Sequence, residues 1–264
     1  MGSGAEAMKT LWIPGAVSAT FKKMPLSADE IIDLMTDCGL KAVEWSENLH
    51  VQPDDPEGAA LLRKKTEAAG LKVAAYGSYF RLGENKDPGQ AFERSLRSAK
   101  ALGAPLIRVW AGTQASADVS DEQFRRLSDE ASLIAEEAGR EQIKVAFEWH
   151  KNTLTDTNQS ARRLLAQANH PNLYCLWQPT VALTPRERVQ GIAMMSSRLL
   201  NFHVYSWPDG KRGPLNAAEW QYYLDAAADM GGTHCALLEF VLGDTAEQFR
   251  ADAKTLLNLL ESGE

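Results

Sequence analysis

The chain alternates short apolar runs with amphipathic stretches, from LWIPGAV at residues 11–17 to CALLEFV at 235–241 and a last helical stretch after it. Eight strand–helix units can be counted, and the runs are rich in Val, Leu, Ile and Ala without strict alternation. That composition is typical of parallel strands covered by helices. The pattern predicts an α/β fold, and a closed (β/α)8 TIM barrel is the simplest arrangement of eight units. An open doubly wound sheet is the alternative, but no Gly-rich turn follows the first strand.

The length agrees with one domain. A barrel of this type takes about 250 residues, and this chain has 264, of which 44% are hydrophobic. No Pro/Gly/Ser-rich linker divides it. Residues 1–7, MGSGAEA, are interpreted as a cloning leader, with Met8 as the native start and 8–264 as the barrel domain.

Charge and composition exclude several partners. The formal net charge is −7 and no basic cluster contains interleaved aromatic residues, so nucleic acid is not expected. No apolar run approaches the ~20 residues that cross a bilayer, and the start lacks a secretory signal. The three cysteines, Cys38, Cys175 and Cys235, are widely spaced and expected to be reduced. A cytoplasmic location is predicted.

Four polar residues stand at the ends of late apolar runs: Glu148, Gln178, His203 and Glu239. Their intervals of 30, 25 and 36 residues match crossover units of about 30 residues or more. The carboxyl ends of neighbouring barrel strands meet at one face, so these side chains are expected to converge. Two carboxylates, an imidazole and an amide oxygen can hold a divalent cation and leave positions open for a substrate.

Large aromatic rings also accompany the predicted strands. Six of the seven tryptophans lie within or at the end of one: Trp12, Trp45, Trp110, Trp149, Trp177 and Trp207. Flat rings beside polar groups suit the apolar faces of a sugar ring. Four of them are therefore predicted to bind substrate, namely Trp12, Trp110, Trp177 and Trp207, while packing in the core or at the rim is the alternative for each.

Several segments together resemble the xylose isomerase-like TIM barrels, a family that includes sugar isomerases, sugar epimerases and apurinic endonucleases. They are CGLKAVEW, FEWHKNTLTDT, LYCLWQPT, NFHVYSW and ALLEFV. The resemblance implies a metal site at the four strand-end residues. Manganese is the expected ion, with magnesium, cobalt or zinc as alternatives. The histidines are too few for the trinuclear zinc site of the endonucleases.

The sixth strand departs from the family pattern of Asp followed three residues later by His. This chain has Gln178 and Val181 there. An amide in place of a carboxylate removes one negative charge, so the cation should be held less tightly and polarise substrate oxygens more strongly.

The resemblance also implies a chemistry. In the epimerases two metal-binding glutamates act as acid and base around a metal-stabilised enediolate, which assigns these roles to Glu148 and Glu239. An isomerase or epimerase of a sugar or sugar derivative is predicted. One alternative is a lyase, dehydratase or glycoside-cleaving enzyme on keto-sugars; another is a barrel that binds carbohydrate or a partner subunit without catalysis. A homo-oligomer stays open, and a free sugar or glycoside is favoured over a phosphate ester.

Further candidates surround these residues. His150 follows Glu148 by two positions and should point to the same side, as a support or as a base. Arg108 on the fourth strand is expected to face the lumen and either orient a carboxylate or balance charge. Glu44 is a candidate for binding a sugar hydroxyl, and Arg212 for holding an anionic or hydroxylated substrate group.

Overall fold

The computed structural model describes residues 9–261, so the predicted leader at 1–7 lies outside the described residues. Eight parallel strands pair in chain order, and the eighth pairs with the first to close a barrel. The strands are β1 (Leu11–Val17), β2 (Ala42–Ser46), β3 (Lys72–Arg81), β4 (Leu106–Trp110), β5 (Lys144–Glu148), β6 (Leu173–Trp177), β7 (Leu199–Val204) and β8 (Thr233–Leu238). The predicted (β/α)8 barrel is confirmed.

A helix follows every strand and covers the outside of the barrel. The helices are α1 (Ala28–Asp37), α2 (Pro56–Ala68), α3 (Pro88–Leu102), α4 (Asp121–Arg140), α5 (Asn158–Ala168), α6 (Pro185–Met195), α7 (Ala217–Ala226) and α8 (Ala246–Glu261). Two of them begin with a capping box, at Ser27 with Glu30 and at Thr184 with Glu187. This reciprocal pairing satisfies amide groups that the first helical turn leaves without partners. Within residues 9–261, none of these helices has the length and apolarity that crossing a bilayer requires.

The two faces of each strand carry different residues because side chains alternate along a strand. The outward face packs against the helices in one large apolar core that includes Trp45, Phe147 and Trp177. The inward face holds small or aliphatic residues at mid-barrel: Ala42, Ala75, Leu106, Ala146, Leu176 and Leu237. A second layer, made mostly of polar side chains, lies two residues further along each of these segments.

Candidate active site

Polar side chains form the layer above the apolar filling of the lumen. Counting two residues onward from that filling gives Glu44, Gly77, Arg108, Glu148, Gln178 and Glu239, and β7 adds His203. All the side chains in this set are buried. The regular strand period therefore delivers three carboxylates, a guanidinium, an imidazole and an amide to one end of the barrel.

Three of these residues are close enough to share one cation. Glu148, His203 and Glu239 each offer a ligand atom, and these atoms lie within 4.8 Å of one another. The structure thus brings together three of the four strand-end residues that were predicted to converge. Carboxylate oxygen with imidazole nitrogen is a donor set that suits zinc, manganese and related divalent ions.

His203 is held between two carboxylates. Its Nε2 lies 3.0 Å from Oε2 of Glu44, and its Nδ1 lies 3.5 Å from Oε2 of Glu239. Burial alone would lower the pKa of His203, but Glu44 and Glu239 raise it well above its usual value. Because a carboxylate only accepts, Nε2 carries the proton that binds Glu44, which leaves Nδ1 as the nitrogen turned toward the ligand cluster.

Arg108 balances much of the negative charge. Its Nε lies 3.2 Å from Oε2 of Glu148 and 3.4 Å from Oε1 of Glu44. Burial opposes its charge, but the surrounding carboxylates, Glu148 first, raise the pKa of Arg108. Gly77 makes room for this pair, since a Cβ there would lie 2.6 Å from Oε1 of Glu44. The structure thus places Arg108 in the lumen between Glu44 and Glu148, and not in the lining of the cleft above them.

Glu148 is engaged on both oxygens. The indole Nε1 of Trp110 donates to Oε2 over 2.8 Å, on the same oxygen that faces Arg108. The side-chain amide of Gln178 donates to Oε1 over 3.0 Å. These donors fix the carboxylate in one orientation.

Gln178 is oriented by the acceptors around it. Its Nε2 donates to Oε1 of Glu148 and to the carbonyl oxygen of Trp149, over 3.0 and 2.7 Å. Rotating the amide would place its oxygen against two acceptors, so the assignment of oxygen and nitrogen follows from the contacts. The amide oxygen, Oε1, is left buried without a hydrogen-bond partner among the described residues.

Buried polar atoms that make no hydrogen bond indicate that the site suits a divalent cation. Within residues 9–261, Oε1 of Gln178 is buried without a hydrogen-bond partner, and Nδ1 of His203 is buried with no contact that meets hydrogen-bond geometry, its nearest carboxylate oxygen being that of Glu239 at 3.5 Å. Buried polar atoms are rarely left in this state, and each of these is a type of atom that binds divalent metals. The four predicted ligands therefore suit a metal ion, with Glu44 as the carboxylate that would orient the histidine.

A cleft opens above this layer. It has a volume of about 60 Å³ and is lined by Glu148, His150, Lys151, Gln178, Thr180, Val181, Tyr205, Trp207, Glu239 and Phe240. Of the further predicted residues, His150 and Trp207 line the cleft. Trp110 does not line it but donates a hydrogen bond to Glu148, which does.

Four residues that line the cleft are not among the predicted ones: Lys151, Thr180, Phe240 and Tyr205. Tyr205 is the one in phase with a predicted ligand. It follows His203 by two positions, so the strand period that carries His203 inward carries Tyr205 to the same side. Burial raises the pKa of Tyr205 well above its usual value, and Glu239 and Glu148 raise it further. Its hydroxyl group therefore keeps its proton at neutral pH. Counting two residues on from His203 was the signal that could have identified it.

Two tryptophans require correction. Trp12 lies at the amino end of β1, where it lines a different cavity of about 410 Å³ at the opposite end of the barrel. Trp177 faces outward and packs against Trp220 and Tyr223. It precedes Gln178 by one residue, and one step along a strand exchanges the faces. Neither ring lines the cleft.

Glu44 and Arg212 are also placed differently from the expectation. Glu44 is fully buried and its two oxygens face His203 and Arg108, so it supports the site from below and offers no oxygen to a sugar hydroxyl in the cleft. The guanidinium of Arg212 pairs with Asp244 and lies 4.7 Å from the ring of Phe240. Arg212 therefore lies behind Phe240, which lines the cleft, and is not itself part of the lining.

Comparison with known proteins agrees with this architecture. A family model described as xylose isomerase-like TIM barrel matches residues 32–180, more than half of the chain. A 3-dehydroshikimate dehydratase of Bacillus anthracis is 27% identical over 167 residues, which are 58% of this chain and 57% of that protein. The chain thus matches a little over half the length of that curated relative.

Solved structures show the same fold over nearly the whole chain. The probable 3-DHS dehydratase AsbF of Bacillus anthracis, involved in petrobactin synthesis, superposes with a TM-score of 0.80 at 18% identity, covering 93% of this chain and 99% of that one. The IolI protein with a bound zinc atom gives a TM-score of 0.72 at 14% identity, covering 97% and 99%.

Proposed function

Because the chain belongs to the xylose isomerase-like TIM barrel family, we propose that it is a divalent-metal-dependent enzyme that removes the proton next to a carbonyl group in a sugar or sugar-derived hydroxyketone. The observation that carries the proposal is the convergence of Glu148, His203 and Glu239, with ligand atoms within 4.8 Å, at the floor of a cleft. With Gln178 they are the proposed metal ligands. A bound cation would supply a fixed positive charge for the substrate oxygens.

The two glutamates have different surroundings, and this suggests different roles. Donors from Trp110, Arg108 and Gln178 already engage Glu148. Within residues 9–261, the carboxylate of Glu239 has no ion pair other than its 3.5 Å contact with His203, and it lines the cleft. Glu239 therefore has lone pairs free to accept a substrate proton, and it is the proposed base. Glu148 is the proposed anchor of the site.

Elimination of water is the favoured outcome once the proton has been removed. The relative of 27% identity is a dehydratase, and dehydration begins with the same proton abstraction that the site supports. A dehydratase of a hydroxyketone, with 3-dehydroshikimate as the first compound to test, is therefore the leading proposal.

An isomerase or epimerase is the second candidate, because two carboxylates approach the site from different sides. β5 and β8, which carry Glu148 and precede Glu239, are three positions apart in a ring of eight strands. A proton removed by one carboxylate can be returned by the other in this arrangement.

Four further expectations stay predictions. They are a small-molecule carbohydrate substrate, the absence of nucleic-acid binding, a homo-oligomer and a cytoplasmic location.

Metal content and proton exchange test the proposal together. Protein purified without chelator is analysed by elemental mass spectrometry, and then incubated in D2O with 3-dehydroshikimate or with ketoses. We expect about one divalent ion per chain and deuterium incorporation next to the carbonyl group. Glu239→Gln should abolish the exchange, whereas Glu122→Gln, an exposed residue in the first turn of α4, should not.

A protein that neither retains nor takes up manganese or zinc, and that exchanges no substrate proton, would contradict the proposal. The non-catalytic carbohydrate-binding barrel would then be the better description. Exchange without loss of water would instead favour the isomerase or epimerase.

A further inference from the structure

Tyr205 projects into the cleft from a fixed position. It lies just beyond β7, in phase with the inward-facing His203, and only 8% of its surface is exposed. Its carbonyl oxygen accepts a hydrogen bond from Nε1 of Trp220 over 2.9 Å, and its ring lies 5.2 Å from that of Trp207. Backbone and ring are therefore both held, which sets the direction of the hydroxyl group.

The hydroxyl group of Tyr205 has no hydrogen-bond partner within residues 9–261. Other buried tyrosines in this protein behave differently. The hydroxyl of Tyr76 donates to Glu47 over 2.8 Å, and that of Tyr223 donates to Glu219 over 3.0 Å. The Tyr205 oxygen is not among the fully buried side-chain atoms that lack a partner, so it is open to the cleft, where a ligand can bind it.

The position of Tyr205 also matches the chemistry proposed for the cleft. It lines the same cleft as Glu239, the proposed base, and Glu148, the proposed anchor. Both oxygens of Glu148 already accept from neighbouring donors, and Glu239 is assigned to proton abstraction, so the hydroxyl group of Tyr205 is a separate proton donor in the same cleft. Among the other polar residues that line the cleft, Nδ1 of His150 lies 2.6 Å from the carbonyl oxygen of Lys151, and the side chain of Lys151 is exposed. Tyr205 differs from both in being buried and held by its neighbours.

We propose that Tyr205 is the acid that protonates the leaving hydroxyl group of the substrate, an inference that rests on the proposed dehydratase function. Glu239 takes the proton next to the carbonyl group, and the electron pair of that C–H bond forms the new C=C bond. The C–O bond at the β carbon breaks, and its oxygen leaves as water with the proton of Tyr205. The tyrosinate then recovers a proton from solvent, and Glu239 releases its own, so the net reaction is loss of one water molecule.

The substitution Tyr205→Phe separates proton abstraction from elimination, because it removes one oxygen and keeps the ring. The matched control is Tyr174→Phe, at the amino end of β6, where the ring contacts Lys144 and a phenyl ring can replace it. Wild type and both variants are incubated with 3-dehydroshikimate in D2O. Water loss is followed by the absorbance of the catechol product, and exchange by deuterium in the recovered substrate.

We expect Tyr205→Phe to eliminate water about 10²- to 10⁴-fold more slowly, the usual contribution of a positioned acid, while exchange continues within a few-fold of the wild-type rate. Tyr174→Phe should match the wild type in both. Two results would overturn the acid role of Tyr205 and leave the proposed function standing. One is an equal loss of exchange and elimination in Tyr205→Phe; the other is no loss of either with an unchanged thermal midpoint. A wild-type protein that shows neither reaction refutes the proposed function and this assignment with it.

Discussion

Replacing Glu44 with Gln tests whether the carboxylate beneath the site sets its affinity for metal. Glu44 is fully buried, and its oxygens lie 3.0 Å from Nε2 of His203 and 3.4 Å from Nε of Arg108. The substitution keeps the size of the side chain and one acceptor oxygen but removes the negative charge. Loss of a carboxylate that orients a metal-binding histidine costs about 10- to 100-fold in affinity, which corresponds to about 1.4–2.7 kcal/mol.

The same change should destabilise the metal-free protein in a pH-dependent way. Burial alone would raise the pKa of Glu44, but His203 and Arg108 outweigh it and hold this pKa below its usual value. A lowered carboxyl pKa means that the wild type has stabilisation at neutral pH that is lost as the pH falls through the acid range. The variant lacks it throughout, so the difference in unfolding free energy should narrow on acidification.

The assay is competition with a chromophoric chelator for zinc and for manganese, run beside urea unfolding of the metal-free proteins. Glu47→Gln is the matched control. Glu47 is also buried, but it accepts from Tyr76 and Ser95 outside the site. An unchanged metal affinity in Glu44→Gln, or an equal loss in Glu47→Gln, would refute the reasoning.

Burial raises the pKa of the Cys175 and Cys235 thiols to about 12, so neither should react with iodoacetamide at neutral pH until the protein is unfolded; rapid alkylation, detected by mass spectrometry, would contradict this. Gly77→Ala should lower the unfolding free energy by about 1–3 kcal/mol through overpacking, because the new Cβ would lie 2.6 Å from Oε1 of Glu44. Urea titration measures this free energy, and an unchanged midpoint would show that Glu44 does not lie this close to residue 77. Trp110→Phe removes the indole N–H that donates to Glu148, a proposed metal ligand. Zinc binding should weaken by about tenfold, the equivalent of one hydrogen bond to a charged group; an equal zinc affinity in chelator competition would show that this hydrogen bond does not position Glu148.

The sequence was sufficient for the fold and for naming most of the residues of the candidate metal site. Eight apolar runs separated by amphipathic stretches allow few arrangements. Parallel strands need helical crossovers that cover the sheet, and closing the sheet into a barrel leaves no edge strand unpaired. Polar residues at the ends of the late runs must then meet, since all strand ends of a parallel barrel lie at one face. Glu148, His203 and Glu239 were predicted in this way.

Tertiary structure decided the depth and direction of the other side chains. Glu44 and His203 are 159 residues apart in the chain, and only closure of the barrel brings them to 3.0 Å. Trp12 and Trp177 have the same residue type as Trp207, yet they lie at the wrong end and on the wrong face of a strand. An apolar run shows that a strand exists, but burial on both faces hides which side is the lumen. Register and closure settle that side, because they are set by pairing between strands that are distant in sequence.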